Sequence, residues 1–109
     1  EQRPLTLAFT AILACVIGPV AEELIFRGAL FSALRRRCPR PIAMGLSAAA
    51  FAGIHSNPIG FASIWLLGCL FADLYERTGS LAAPMAVHVF HNSLLMSVSA
   101  LARALMVGT

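Results

Sequence analysis

Formal charges along the chain are separated by long apolar stretches. Eighteen uncharged residues lie between Arg3 and Glu22, 32 between Arg40 and Asp73, and 25 between Arg77 and Arg103. About 20 apolar residues cross a bilayer as a helix, so the pattern predicts an all-α, polytopic transmembrane bundle of about four membrane helices. The first segment runs from Leu5 to about Leu34. Unbroken, it would be roughly 45 Å long against a hydrocarbon core of about 30 Å. It is expected to kink at Gly18-Pro19, where proline removes a backbone donor and suits a fresh helical start. A second segment, Pro41 to about His55, stops at the turn-forming Ser56-Asn57-Pro58. A third, Pro58 to about Tyr75, ends at Glu76-Arg77-Thr78-Gly79, where glycine suits a helix C-terminus. The fourth begins near Ser80 or Leu81 and continues to about Met106.

Composition strengthens this reading. The chain is 59% hydrophobic and 12% charged, against about 25% charged residues in a soluble domain, which excludes a water-soluble fold. The net charge of +3 does not point to nucleic acid. Arg35, Arg36, Arg37 and Arg40, half of the eight basic residues, fall in one juxtamembrane loop. With Arg77 in the next loop on the same side, they predict that this side is cytoplasmic. Short loops point to a bacterial cytoplasmic membrane. Cys15, Cys38 and Cys69 have no paired spacing, so neither a disulfide framework nor a zinc knuckle is encoded. The chain opens on Glu1-Gln2 and enters a helix at once. Residues 1–109 therefore read as one membrane core cut from a longer protein.

The informative residues are the polar ones inside the apolar runs, since a charge at mid-membrane costs at least about 2.5 kcal/mol on insertion scales. Glu23 and Arg27, four apart, meet on one helix face and neutralise each other. Glu22 points roughly 100° away from Glu23 and has no basic residue one turn further on. Its carboxylate needs water or a partner on another helix. Phe51 and His55 are four apart, as are His88 and Asn92, so the second and fourth segments can turn polar faces toward Glu22. Counted from the arginine side at about 1.5 Å per residue, Glu22, His55 and Asn92 lie near 20 Å and His88 near 14 Å. One free carboxylate, imidazoles and an amide at a similar depth have the parts for activating water.

Simpler roles account for the other polar positions. His91 reads as a spectator beside His88. Asp73 and Glu76 read as solvated at the membrane end, with Arg77 alongside, and Trp65 and most phenylalanines as lipid-facing or packing residues. Gly45, Ala48, Ala49, Ala52 and Gly53 make one side of the second segment small, which permits close helix contact.

Glu-Glu-x-x-x-Arg (Glu22, Glu23, Arg27), Phe-x-x-x-His (Phe51, His55) and His-x-x-x-Asn (His88, Asn92), in that order on successive segments, closely resemble the CAAX prenyl endopeptidase and bacteriocin-processing family, CPBP or ABI. Leu74-Tyr75-Glu76-Arg77-Thr78-Gly79-Ser80-Leu81 resembles it too, so the likeness runs from about Val20 to Asn92. The resemblance implies an intramembrane endopeptidase acting on a membrane-associated, prenylated or leader-type peptide. In it Glu22 would activate a water, His55 would bind and orient that water, and His88 with Asn92 would stabilise the oxyanion. Glu23, Arg27 and Phe51 would support them. The family has been described both as metalloproteases and as glutamate peptidases without a metal. No cofactor is expected, although Glu22, His55 and His88 are residue types that bind zinc.

Other protease classes fit poorly: the His-Glu-x-x-His motif is absent and Asp73 is the sole aspartate. Gly45-Leu46-Ser47-Ala48 only loosely resembles a rhomboid serine loop. The rivals are a proton- or cation-conducting transporter fragment using Glu22, His55 and His88, and a non-catalytic bacteriocin-immunity protein. The expected partners are membrane lipid and a peptide substrate, without nucleic acid.

Overall fold

The computed structural model describes residues 3–108; Glu1, Gln2 and Thr109, the ends of the expected unit, lie outside the described residues. Four helices follow one another: α1 Arg3–Arg35, α2 Arg40–Ile54, α3 Phe61–Thr78 and α4 Ala82–Val107.

The first helix kinks around Gly18-Pro19 without breaking. It runs on as one helix of 33 residues and absorbs the proline by widening. Leu13–Ile17 and Leu24–Phe31 are π-helical, on either side of the α-helical turn Gly18–Glu23. A π turn releases backbone groups from the i→i−4 pattern. In the second stretch the Ser32 hydroxyl serves one of them, donating to the Arg27 carbonyl at 2.8 Å.

Local chemistry sets the other boundaries. Pro39 is extended before α2, and Pro41 lies in its first turn, where a missing N–H leaves nothing unpaired. The turn after α2 places Ser56 at φ 51°, and Asn57 Oδ1 accepts from the Gly60 N–H. Gly79, at φ 65°, closes α3 with its N–H on the Tyr75 carbonyl, a conformation that favours glycine. Ser80 Oγ then accepts from the Ala82 N–H at the start of α4.

The expected number of helices is present, but they differ in reach. Two of them, Arg3–Arg35 and Ala82–Val107, are long and apolar enough to cross a membrane. The 15 residues of α2 reach only about 22 Å, and the 18 of α3 end in Asp73, Glu76 and Arg77. Both follow from the 32-residue uncharged run being folded back on itself: the turn at residues 55–60 divides it into two shorter helices.

α2 and α3 pack closely through small residues. A Cβ on Gly68 would lie 2.9 Å from Ala48 Cβ, and Trp65 Nε1 donates to the Gly45 carbonyl at 3.0 Å. Gly53, expected on this small face, instead borders open space, where a Cβ would meet nothing within 4 Å. Phe26 of α1, Phe51 of α2 and Phe71 of α3 form one apolar centre; Phe31, Ala43 and Ala72 form a second nearer the arginine loop. The outer faces are apolar, with Leu5, Leu66, Phe90 and Leu105 all exposed.

The acidic residues at the end of α3 are not simply solvated. Glu76 pairs with Arg35 at 2.5 Å and Arg40 at 2.7 Å. Asp73 pairs with Arg40 and Arg77. Both carboxylates are about three-quarters covered. The network ties the end of α1 and the start of α2 to the end of α3, because these helix ends converge on one side of the bundle.

Candidate active site

Glu22 and Glu23 sit on the α-helical turn between the two π stretches of α1, and their side chains part. Glu23 is fully buried. Its Oε2 accepts from Arg27 Nη1 at 3.1 Å and from His88 Nδ1 at 2.7 Å. Arg27 also donates from Nη2 to the Gly68 carbonyl at 2.9 Å, and its guanidinium carbon lies 4.5 Å from the Phe51 ring centre and 5.2 Å from that of Phe71. Such ring contacts stabilise a cation withdrawn from water. The expected Glu23–Arg27 pair is therefore part of a larger group that includes His88 and the α3 backbone.

Glu22 turns the other way and keeps 26% of its side-chain surface open. Its Oε2 is covered and makes no hydrogen bond among the described residues. That oxygen lies 3.7 Å from His55 Nε2 and 3.9 Å from His88 Nε2. Both separations exceed hydrogen-bond length and leave a gap that a small donor can bridge.

The outer nitrogens of the two rings define what faces that gap. His55 Nδ1 is 2.7 Å from the Phe51 carbonyl, which can only accept, so Nδ1 carries the hydrogen. His88 Nδ1 faces the Glu23 carboxylate and carries one as well. In each uncharged ring Nε2 is then an acceptor. A carboxylate oxygen and two imidazole nitrogens, all acceptors, surround a space suited to a molecule with hydrogens to give, such as water.

Aromatic packing fixes the rings. Phe71 stacks on His88 at 4.7 Å between centres and 23° between planes. Phe51 meets His55 edge-on at 4.8 Å and His88 at 5.8 Å. A cavity of about 210 Å³ opens between Phe51, His55, Phe71, His88, His91 and Asn92, room for several waters at roughly 30 Å³ each. A separate open apolar groove of about 670 Å³ runs over Ala52, Gly53, Ser56, Asn57, Pro58 and Phe61, at the end of α2 and the turn that follows it.

Asn92 is half-buried rather than buried. Its Nδ2 donates to the Ala14 carbonyl at 3.0 Å, across to α1. His91 lines the cavity, with Nδ1 3.4 Å from Asn92 Oδ1; its spacing of three from His88 already allowed a shared face. The Glu23–His88 contact, spanning 65 positions, has no comparable signal in the sequence. Among the described residues no group of three or more His, Cys, Asp or Glu side chains is arranged to hold a metal ion.

A family profile for the Rce1-like type II CAAX prenyl endopeptidases matches residues 4–94, a stretch that contains Glu22, His55, His88 and Asn92. The chain belongs to that family. Among curated proteins it is 29% identical over 85 residues to one from Bacillus subtilis (strain 168) named "Putative membrane peptidase YdiL"; the alignment covers 78% of this chain and 35% of the relative. The chain thus spans about a third of the length of that relative. No solved structure matches it.

Proposed function

We propose that the chain is the core of an intramembrane endopeptidase of a bacterial cytoplasmic membrane, in which Glu22 activates a water against a peptide carbonyl. The observation that carries this reading is the contrast between the two neighbouring carboxylates. Glu23 Oε2 is engaged by both Arg27 and His88, with only its Oε1 buried without a hydrogen bond among the described residues. By contrast, among the described residues Glu22 makes no ion pair with an arginine and its covered Oε2 makes no hydrogen bond; that oxygen lies within 4 Å of two imidazoles that line a cavity. A carboxylate withdrawn from water and left without a partner is a general-base candidate.

In this mechanism a water lies between Glu22 Oε2 and His55 Nε2. Glu22 takes one proton as the oxygen attacks the carbonyl carbon, and later returns it to the leaving amine nitrogen. His88, backed by Glu23, donates from Nε2 to the developing oxyanion when it carries a second proton, a charge that the adjacent carboxylate stabilises. The apolar groove beside His55 suits an extended peptide with a lipid or apolar side group. No step passes through a metal.

The test is cleavage of an internally quenched farnesylated CAAX peptide in detergent micelles. Glu22→Gln is expected to lower kcat by about 10²–10⁴-fold, the usual contribution of a general base, with the melting temperature unchanged. Retained cleavage removes Glu22 from the role. Phenanthroline is expected to leave the rate unchanged; inhibition reversed by added zinc would restore the metal mechanism. Proton flux in liposomes that depends on Glu22, without cleavage, would favour a transporter.

A further inference from the structure

His88, Asn92 and Met96 form one stripe on α4, four residues apart, and each touches α1. His88 meets Glu23, Asn92 meets the Ala14 carbonyl, and Met96 Sδ accepts from Cys15 Sγ at 3.6 Å. The middle contact answers an interruption in the hydrogen bonding of α1. In α register the Gly18 N–H would serve Ala14, but it bonds the Leu13 carbonyl instead. In the wider register so set, the next donor falls to residue 19, and Pro19 has no N–H. Ala14 is exposed on an apolar helix, where lipid supplies no replacement donor. Asn92 Nδ2 supplies it.

Gly18 supports the same register. A Cβ there would lie 2.9 Å from the Leu13 carbonyl oxygen and 3.9 Å from Glu22 Oε1, so the π turn closes tightly only at glycine. Each residue advances the helix by roughly 100°. A return of Leu13–Ile17 to α register would therefore rotate Glu22 relative to the α1 face that α4 holds at Ala14 and Cys15.

We propose that Asn92 is a positioning residue: by holding the carbonyl that Pro19 orphans, it locks the π turn of α1 and so fixes the direction of Glu22 toward His55 and His88. It thereby acts through α1 rather than on the reacting oxygen, which is the role the family resemblance implies. The kinetic part of this inference rests on the peptidase reading.

The test is a double-mutant cycle between residues 19 and 92 in the purified chain, using the same farnesylated peptide together with thermal unfolding in detergent. Asn92→Leu is expected to lower kcat by about 100-fold, the scale of a misplaced reacting group, with KM nearly unchanged. Pro19→Ala restores an N–H for Ala14. In that background Asn92→Leu should lower kcat by less than about fivefold, and its effect on the melting temperature should shrink in parallel, as coupled sites do. Equal kcat losses in both backgrounds overturn the proposal and leave Asn92 on the oxyanion. Coupled melting with uncoupled kcat overturns the positioning role. If the wild type cuts no peptide, the peptidase reading falls by itself. Coupled melting then still supports the Ala14 tether, and uncoupled melting overturns it. Asn92→Ala replaces Asn92→Leu if the latter does not fold.

Discussion

Two adjacent glutamates reach opposite fates because a helix advances its side chains by about 100° per residue. Glu23 enters the core and is neutralised there; Glu22 turns toward His55 and His88, and its Oε2 makes no hydrogen bond among the described residues. Substitution should therefore separate them by kind of damage. Glu23→Gln leaves Arg27 buried without its counter-charge and gives His88 at most a neutral acceptor, and is expected to destabilise the bundle by about 3–5 kcal/mol, read as a lower melting temperature and yield. Glu22→Gln removes no contact and should lower only the rate. His55→Ala tests the opposite wall of the gap. It should lower kcat while sparing stability, since His55 keeps a third of its side-chain surface open and bonds only its own helix backbone at Phe51.

Among the elements, α1 carries the carboxylates and α3 carries no reacting group, yet α3 decides where Arg27 ends. The Gly68 carbonyl receives Arg27 Nη2, and the same residue lies against Ala48 so closely that a methyl group would meet Ala48 Cβ at 2.9 Å. Gly68→Ala is expected to push α2 and α3 apart, shift that carbonyl, and cost about 1–3 kcal/mol as an overpacked contact. Thermal unfolding in detergent measures it, and an unchanged melting temperature would show that the α2–α3 contact yields without strain. The π stretches of α1 belong to this scale too. They let a 33-residue helix carry a proline and redirect Glu22 without a break.

Across the whole molecule, the arginine loops gather on one side through Asp73 and Glu76, while His55 and the turn after α2 lie at the other end of α2. If the arginine side faces the cytoplasm, as the charge rule predicts, Cys38 in the arginine loop should react with a membrane-impermeant maleimide in inside-out vesicles and not in intact cells. Labelling in intact cells would reverse the orientation. Cys15, buried against Met96, should resist in both.

The all-α class, the segment order, the helix stop at Gly79 and the pairing of Glu23 with Arg27 were legible because each depends on spacing within one segment: charge-free length, a four-residue step, a glycine in a left-handed turn. The aromatic company of His55 was legible for the same reason. What only the tertiary structure decided joins residues from different helices. It includes His88 on Glu23, Arg27 on the Gly68 carbonyl, Asn92 on Ala14 and the arginines on Asp73 and Glu76. Side-chain period says which face a residue occupies, but the rotation and depth at which two faces meet come from packing small residues against each other, and no local pattern encodes that distance.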